Sequence, residues 1–222
     1  MTDRSYDRSV TRLRAGMPKA TFFHLPEAKQ AAICRVALEE FAAHPYAQVS
    51  INRIVARSGI AKGSFYQYFA DKKDLLFYLL EQAAKAKMAY LAPVIQNIEN
   101  YDFFTLIRQL YIKGIEFAKE HREYTEIGKR ILEDKNTPIY HELIKNNISQ
   151  TNEFFENLLR KAINRNEIRA DINIKLLAYL IASLNTTLID YYHEYAYDDY
   201  GEQMMKIVDE FIKLLRDGIK KT

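Results

Sequence analysis

A single cysteine, Cys34, in a chain of 222 residues excludes an internal disulfide and with it the small cross-linked scaffolds. Seven glycines and five prolines are too few for the turns of an all-β protein. No long apolar run is present. The greasiest stretch, Leu176 to Leu184, falls far short of the roughly 20 residues that span a bilayer. The charged N-terminus lacks the apolar core of a secretion signal. These absences point to a soluble, cytoplasmic protein without membrane contact. The five histidines, His24, His44, His121, His141 and His193, share no metal-ligand spacing. No glycine-rich phosphate loop, nucleophile elbow or Cys/His pair occurs. Neither an enzyme nor a cofactor or metal is therefore expected.

Apolar side chains make up 48% of the residues, enough for a buried core. The formal net charge is only +3, but it is unevenly spread. Residues 1–80 hold 12 Lys and Arg against 7 Asp and Glu, and the remainder holds 20 against 22. The N-terminal third is the basic part, as a nucleic-acid-binding module would be.

Apolar spacing predicts helices almost throughout. Pro26 suits a first helical turn, with Ile33, Val36, Ala37 and Phe41 forming a stripe that ends before Pro45. A long helix is expected from Lys72 to about Tyr90, ended or kinked near Pro93. Further helices are expected from Asp102 to Lys119, Glu123 to Leu132 and Thr137-Pro138 to Asn164. Asp171 is expected to cap another toward His193, and a last helix runs to about Lys220. The reading is an all-α protein of nine or ten helices.

The stretch from Ser50 to Leu76 organises the rest. Ser50 is a good N-cap for a helix carrying Ile51, Ile54 and Val55 on one face. Gly59 suits the left-handed position that ends it, Ile60 fills the corner, and a second helix starts near Ala61. Two helices joined by a glycine turn form a helix-turn-helix, whose second helix enters a DNA major groove. Lys62 has the chemistry to read guanine O6 and N7, and Gln67 the chemistry to read adenine. Ala61 and Gly63 lie beside them, and Gly63 allows close approach. Arg53 and Arg57 read as solvated surface.

From Ile54 onward, with Lys62-Gly63-Ser64-Phe65-Tyr66-Gln67-Tyr68-Phe69 and then Lys72, Leu75 and Leu76, the chain resembles the TetR family of bacterial transcriptional repressors. The similarity extends upstream through Ile33, Ala37, Leu38 and Phe41. Val55 and Ser58 stand where alanines are usual, and Pro45 where glycine often precedes the tyrosine. The resemblance implies a helix-turn-helix DNA-binding domain over 1–75 and a helical ligand-binding and dimerisation domain over 76–222. It places Ser50, Ser64, Tyr66, Tyr68 and Lys72 at backbone phosphates. It also implies a homodimer reading a palindromic double-stranded operator, released by a small-molecule effector. The competing readings are a helical enzyme and a protein-interaction module.

Two apolar stripes on the last helices are the expected dimer interface: Leu177, Leu180, Ile181, Leu184 and Leu188, then Met204, Ile207, Val208, Phe211, Ile212 and Leu215. The expected effector is largely apolar or aromatic. Its candidate lining is Phe103, Phe104, Tyr111, Phe117, Tyr124, Tyr140, Phe154, Phe155 and Tyr191, with Asn185 and Thr186 as polar contacts. These aromatics serve equally as plain core. Arg4, Arg8 and Arg12 fall at i, i+4, i+8, with Tyr6, Val10 and Leu13 on another face. The segment is read either as an arm adding phosphate contacts or as a solvated tail.

Overall fold

The computed structural model describes residues 18–194 and 202–220, without the side chains of 144–150, 185, 186, 189, 190 and 192–194. The Arg4, Arg8 and Arg12 repeat lies outside the described residues. So do the side chains of Asn185 and Thr186. Ten α-helices follow one another and no strand occurs among the described residues. They are α1 Ala20–Phe23, α2 Glu27–Ala43, α3 Ile51–Ser58, α4 Lys62–Tyr68, α5 Lys72–Gln96, α6 Phe103–Glu120, α7 Arg122–Glu133, α8 Pro138–Asn164, α9 Ile174–Glu194 and α10 Glu202–Ile219.

Sequence-local chemistry accounts for several of the helix starts. Asp102 Oδ1 accepts from the backbone N–H of Phe104 at 3.0 Å and Thr105 at 3.1 Å, opening α6. Thr137 Oγ1 accepts from Tyr140 N–H at 3.2 Å, opening α8. At α9 the cap is Asn173, not Asp171: Asn173 Oδ1 accepts from Leu176 N–H at 3.1 Å, and Asp171 pairs with Arg169. α5 continues past the expected end near Tyr90 to Gln96, with Pro93 inside it. Asn97 Nδ2 donates to the Pro93 carbonyl at 2.8 Å.

The helices pack into two units. One comprises residues up to Ala86 together with His121–Tyr140; the other comprises Lys87–Glu120 and the residues from His141 on. The first unit therefore reaches past residue 75 and takes in α7, and α5 gives residues to both. Its core combines Phe22, Ile33, Phe41, Ile54, Phe65, Phe69, Leu75, Leu76 and, from α7, Ile127. The second unit is built on Phe103, Phe104, Ile107, Phe155, Leu159, Ile181, Met204, Val208 and Phe211.

One charge is buried among the described residues of the first unit. Glu40 on α2 is 3% exposed. Its Oε1 accepts from Ser50 N–H at 2.9 Å and from Arg53 Nε at 2.8 Å. Burial alone would raise the Glu40 pKa; the donors from Arg53 and Ser50 outweigh it and hold the carboxyl below its ordinary 4.5. A depressed folded pKa contributes stability above the unfolded value and loses it as pH falls through the folded one. Glu40→Gln is expected to cost about 1.5–3 kcal/mol at pH 7, the range for a hydrogen bond to a charged group. The wild-type advantage should shrink below pH 4.5. Denaturant titrations of both proteins at pH 7 and pH 3 check this.

Candidate nucleic-acid interface

The corner between α3 and α4 forms as its residue types dictate. Ser50 caps α3, its Oγ accepting from Arg53 N–H at 3.4 Å. Gly59 closes it in the left-handed conformation, φ 67° and ψ 31°, where a Cβ is unfavourable. Ile60 then turns inward, and α4 begins after Ala61. Phe65, Tyr68 and Phe69 are buried, whereas Ala61, Lys62, Gly63, Tyr66 and Gln67 are exposed. Tyr66 is 44% exposed. The base-reading candidates thus all fall on the open side of α4. Ser50 and Ser64 are half-buried.

Two of the expected phosphate contacts have other work in this structure. Tyr68 is buried, its ring edge-on to Phe22 at 6.2 Å. Lys72 is half-buried, and its Nζ donates to the carbonyls of Tyr46 at 2.8 Å, Val49 at 3.0 Å and Ala47 at 3.2 Å. It also lies 4.7 Å from the Tyr46 ring centroid. An ammonium has three N–H donors, so three carbonyls consume its bonding capacity. Burial lowers its pKa, opposed by the Glu40 charge. Lys72 therefore braces the loop before α3. Arg53 and Arg57 are likewise engaged, with Glu40 and Glu39.

The sequence reading missed what holds the far end of α4. Helix C-termini leave carbonyls without intrahelical partners. Here the segment leading into α1 supplies the donors. Lys19 N–H donates to Tyr68 O at 2.8 Å and Lys19 Nζ to Tyr66 O at 2.7 Å, and Thr21 Oγ1 donates to Gln67 O. Phe22, fully buried, packs on Phe69 at 5.0 Å and Tyr78 at 5.4 Å. A run of Lys-Ala-Thr-Phe-Phe carries no cap signature, because a strap is defined by carbonyls 46–49 residues downstream.

The C-terminal candidates divide by unit. Tyr124 and Tyr140 fall in the first unit and the other candidate aromatics in the second. In the second, Phe103 and Phe104 pair at 5.5 Å, Phe154 and Phe155 at 5.6 Å, and Tyr111 faces Phe211 at 6.4 Å. Burial raises the Tyr111 phenol pKa strongly. Phe117 pairs with Tyr90, and Tyr191 is exposed. Asn152 on α8 was not anticipated. Its Oδ1 is shielded from solvent with no hydrogen-bond partner among the described residues. A polar residue two positions before Phe154-Phe155 was the available signal.

Of the dimer candidates, Ile181, Met204, Val208 and Phe211 are buried within their own unit, and Ile212 with them. Leu177, Leu184, Leu188, Ile207 and Leu215 are half-buried and Leu180 is exposed. Leu176, Tyr179 and, at 73%, Leu214 are exposed apolar positions that the reading omitted.

Among the described residues, no group of three or more His, Cys, Asp or Glu is placed to hold a metal. No described helix is long and apolar enough to cross a membrane.

Comparison with known proteins agrees with this geometry. Residues 33–79 match the family described as bacterial regulatory proteins, tetR family. A TetR family transcriptional regulator from Chloroflexus aurantiacus is 30% identical, with a TM-score of 0.67, 93% of this chain and all of that one being covered. The uncharacterized HTH-type transcriptional regulator YvdT of Bacillus subtilis is 26% identical over 203 residues, 89% of this chain and 97% of YvdT. A gamma-butyrolactone receptor, an ArpA-like protein, shares the fold at 18% identity, with a TM-score of 0.59 and coverage of 87% and 88%. With the exposed face of α4 and these relatives together, the chain belongs to the TetR family of bacterial transcriptional regulators.

Proposed function

We propose that this regulator is a repressor that binds a palindromic operator as a homodimer and is released by a small, largely apolar or aromatic effector. The observation that carries the DNA-reading part is Gly63. Gly63 lies in the first turn of α4, where glycine gives up helix propensity relative to alanine. A Cβ built at Gly63 meets nothing within 4 Å, and its φ is unexceptional, so the protein's own packing does not require it. A partner approaching α4 closely supplies a reason. Ala61, Lys62 and Gln67 then read bases. Ser50, Ser64 and Tyr66 contact phosphates, and Tyr68 and Lys72 hold the unit in shape.

The homodimer reading rests on the exposed apolar residues of α9 and α10. Leu176, Tyr179 and Leu180 recur at i, i+3, i+4, the spacing of one helix face. The effector reading rests on the unsatisfied Asn152 Oδ1 and on the fold shared with a gamma-butyrolactone receptor. Such an effector releases DNA only by binding the released dimer more tightly than the DNA-bound one.

Selection of the wild-type protein on randomised duplex DNA is expected to recover a palindrome. Recovery of salt-dependent binding with no sequence preference would overturn the reading. Tyr66→Phe should weaken binding on the order of tenfold on every sequence, the loss of one hydrogen bond to a charged group. Lys62→Ala should change the preferred base at its position, by about 1–3 kcal/mol of discrimination. Lys72→Met should lose thermal stability and DNA binding together. For the dimer, Leu176→Glu with Leu180→Glu should give a folded monomer by sedimentation and circular dichroism. Val208→Asp, at a fully buried position, should instead unfold the second unit.

A further inference from the structure

Most of α6 has no open side: from Phe103 to Ala118 no residue is exposed. Its inward stripe is Phe103, Ile107, Leu110, Tyr111 and Phe117, at i, i+4, i+7, i+8 and i+14. At about 100° per residue, Gly114 falls at the centre of that stripe, where a large apolar side chain would do most for the core. Gly114 is half-buried, yet a Cβ built on it meets nothing within 4 Å among the described residues. Protein interiors are close-packed, and a gap in the buried face of a core helix forfeits contacts. Glycine is also a poor helix former, and this one lies well inside an 18-residue helix. Neither packing nor propensity calls for it.

The surroundings of the gap are fixed. One turn before Gly114, Tyr111 meets Phe211 of α10 edge-on at 6.4 Å; one turn after it, Phe117 meets Tyr90 of α5 edge-on at 5.7 Å. Neither ring comes within 4 Å of the Cβ position. The level of the gap on α8 follows from helix register. Phe103 N–H donates to Glu167 Oε2 at 2.7 Å, just past the end of α8, and Leu106 shares a small cleft with Leu158 and Ala162. The two helices therefore run antiparallel. At 1.5 Å per residue, Gly114 lies about 12 Å beyond Leu106, and the same step back from the middle of Leu158–Ala162 reaches Asn152. Asn152 is the residue whose shielded Oδ1 has no hydrogen-bond partner among the described residues. An unfilled apolar gap and an unpaired acceptor at one level complement a single molecule with an apolar body and a donor.

Resting on the effector reading above, we infer that Gly114 is the floor of a slot that takes a planar ring bearing a hydrogen-bond donor, the ring seated on the glycine between Tyr111 and Phe117 and the donor turned to Asn152 Oδ1. The six residues from Tyr111 to Phe117 span about 9 Å along the helix, a width that suits one or two fused rings. Aromatic neighbours on both sides favour a ring over an alkyl chain, because ring pairs gain edge-to-face attraction beyond the area they bury. The donor sets the preference among rings, since a ring without one leaves the Asn152 acceptor unpaired.

The chain has no tryptophan, so a fluorescent ring reports its own binding to the full-length protein. Three probes are compared: 2-naphthol, a planar ring with an O–H donor; naphthalene, the same ring without it; and 1-decanol, the donor on a chain. Wild-type protein is expected to bind 2-naphthol saturably, one per protomer, on the order of tenfold tighter than 1-decanol. Gly114→Ala, which places one methyl in open space, should keep or raise the melting temperature and weaken 2-naphthol several-fold. Gly114→Leu should weaken it on the order of tenfold or more, and Asn152→Ala should erase the preference for 2-naphthol over naphthalene. Operator affinity without a probe should not change in the Gly114 variants. Failure of the wild type to bind either ring saturably, equal 2-naphthol affinity in the wild type and both Gly114 variants, or a preference for 1-decanol would each overturn the inference. Ring binding that follows these expectations but leaves the operator bound would uphold the slot and overturn the effector reading instead.

Discussion

A carboxylate withdrawn from water must recover its lost solvation from fixed donors, and Glu40 recovers it from the start of α3. Ser50 N–H and the Arg53 guanidinium point at it, and Arg53 continues to the carbonyl of Gln48 at 2.7 Å. From the other side, Lys72 at the head of α5 takes the carbonyls of Tyr46, Ala47 and Val49. The loop before α3 thus has its N–H served by a buried acid and its carbonyls by an ammonium. Apolar packing alone tolerates sliding, but these bonds are directional. They fix where α3 starts, and through the Gly59 turn they fix where α4 points.

That constraint matters because α3 and α4 have only 8 and 7 residues. Helices this short are marginal in water on their own. α4 is held at its start by the turn, along its inner face by Phe65 and Phe69, and at its end by Lys19 and Thr21. With both ends and one face tied down, the other face has no structural duty. Ala61, Lys62, Gly63 and Gln67 are exposed there, and a Cβ at Gly63 would meet nothing of the protein itself.

The local chemistry of this fold was legible in the sequence. Ser50, Gly59, Asp102 and Thr137 act within a few residues of themselves, so caps, turn and helix order could be read from spacing. What could not be read depends on distant partners. Lys72 sits at a position that suggests a phosphate contact, and its bonds to three carbonyls 23–26 residues upstream carry no local signal. Tyr68 turns inward because Phe22, from a segment with no recognisable pattern, covers it. The gathering of α7 with the first unit depends on Ile127 and on Arg130 Nε donating to the carbonyl of Ala42, neither of which marks a domain boundary in sequence.

The last helices show a subtler limit. Periodicity gives the width of an apolar stripe but not which half of it a protomer keeps for itself. In α9 the residues turned inward are Ala178, Ile181 and Ala182, and the exposed ones are Leu176, Tyr179, Leu180 and Tyr191. A helix serving only a monomeric core would bury its largest apolar side chains and leave the small ones outside. Here Ile181 and two alanines face the unit's own core, Leu177, Leu184 and Leu188 pack partly against it, and Leu176, Tyr179 and Leu180 face outward. Outward bulk is a cost in water unless a second apolar surface covers it, and on α9 the exposed residues such a cover would bury are Leu176, Tyr179 and Leu180.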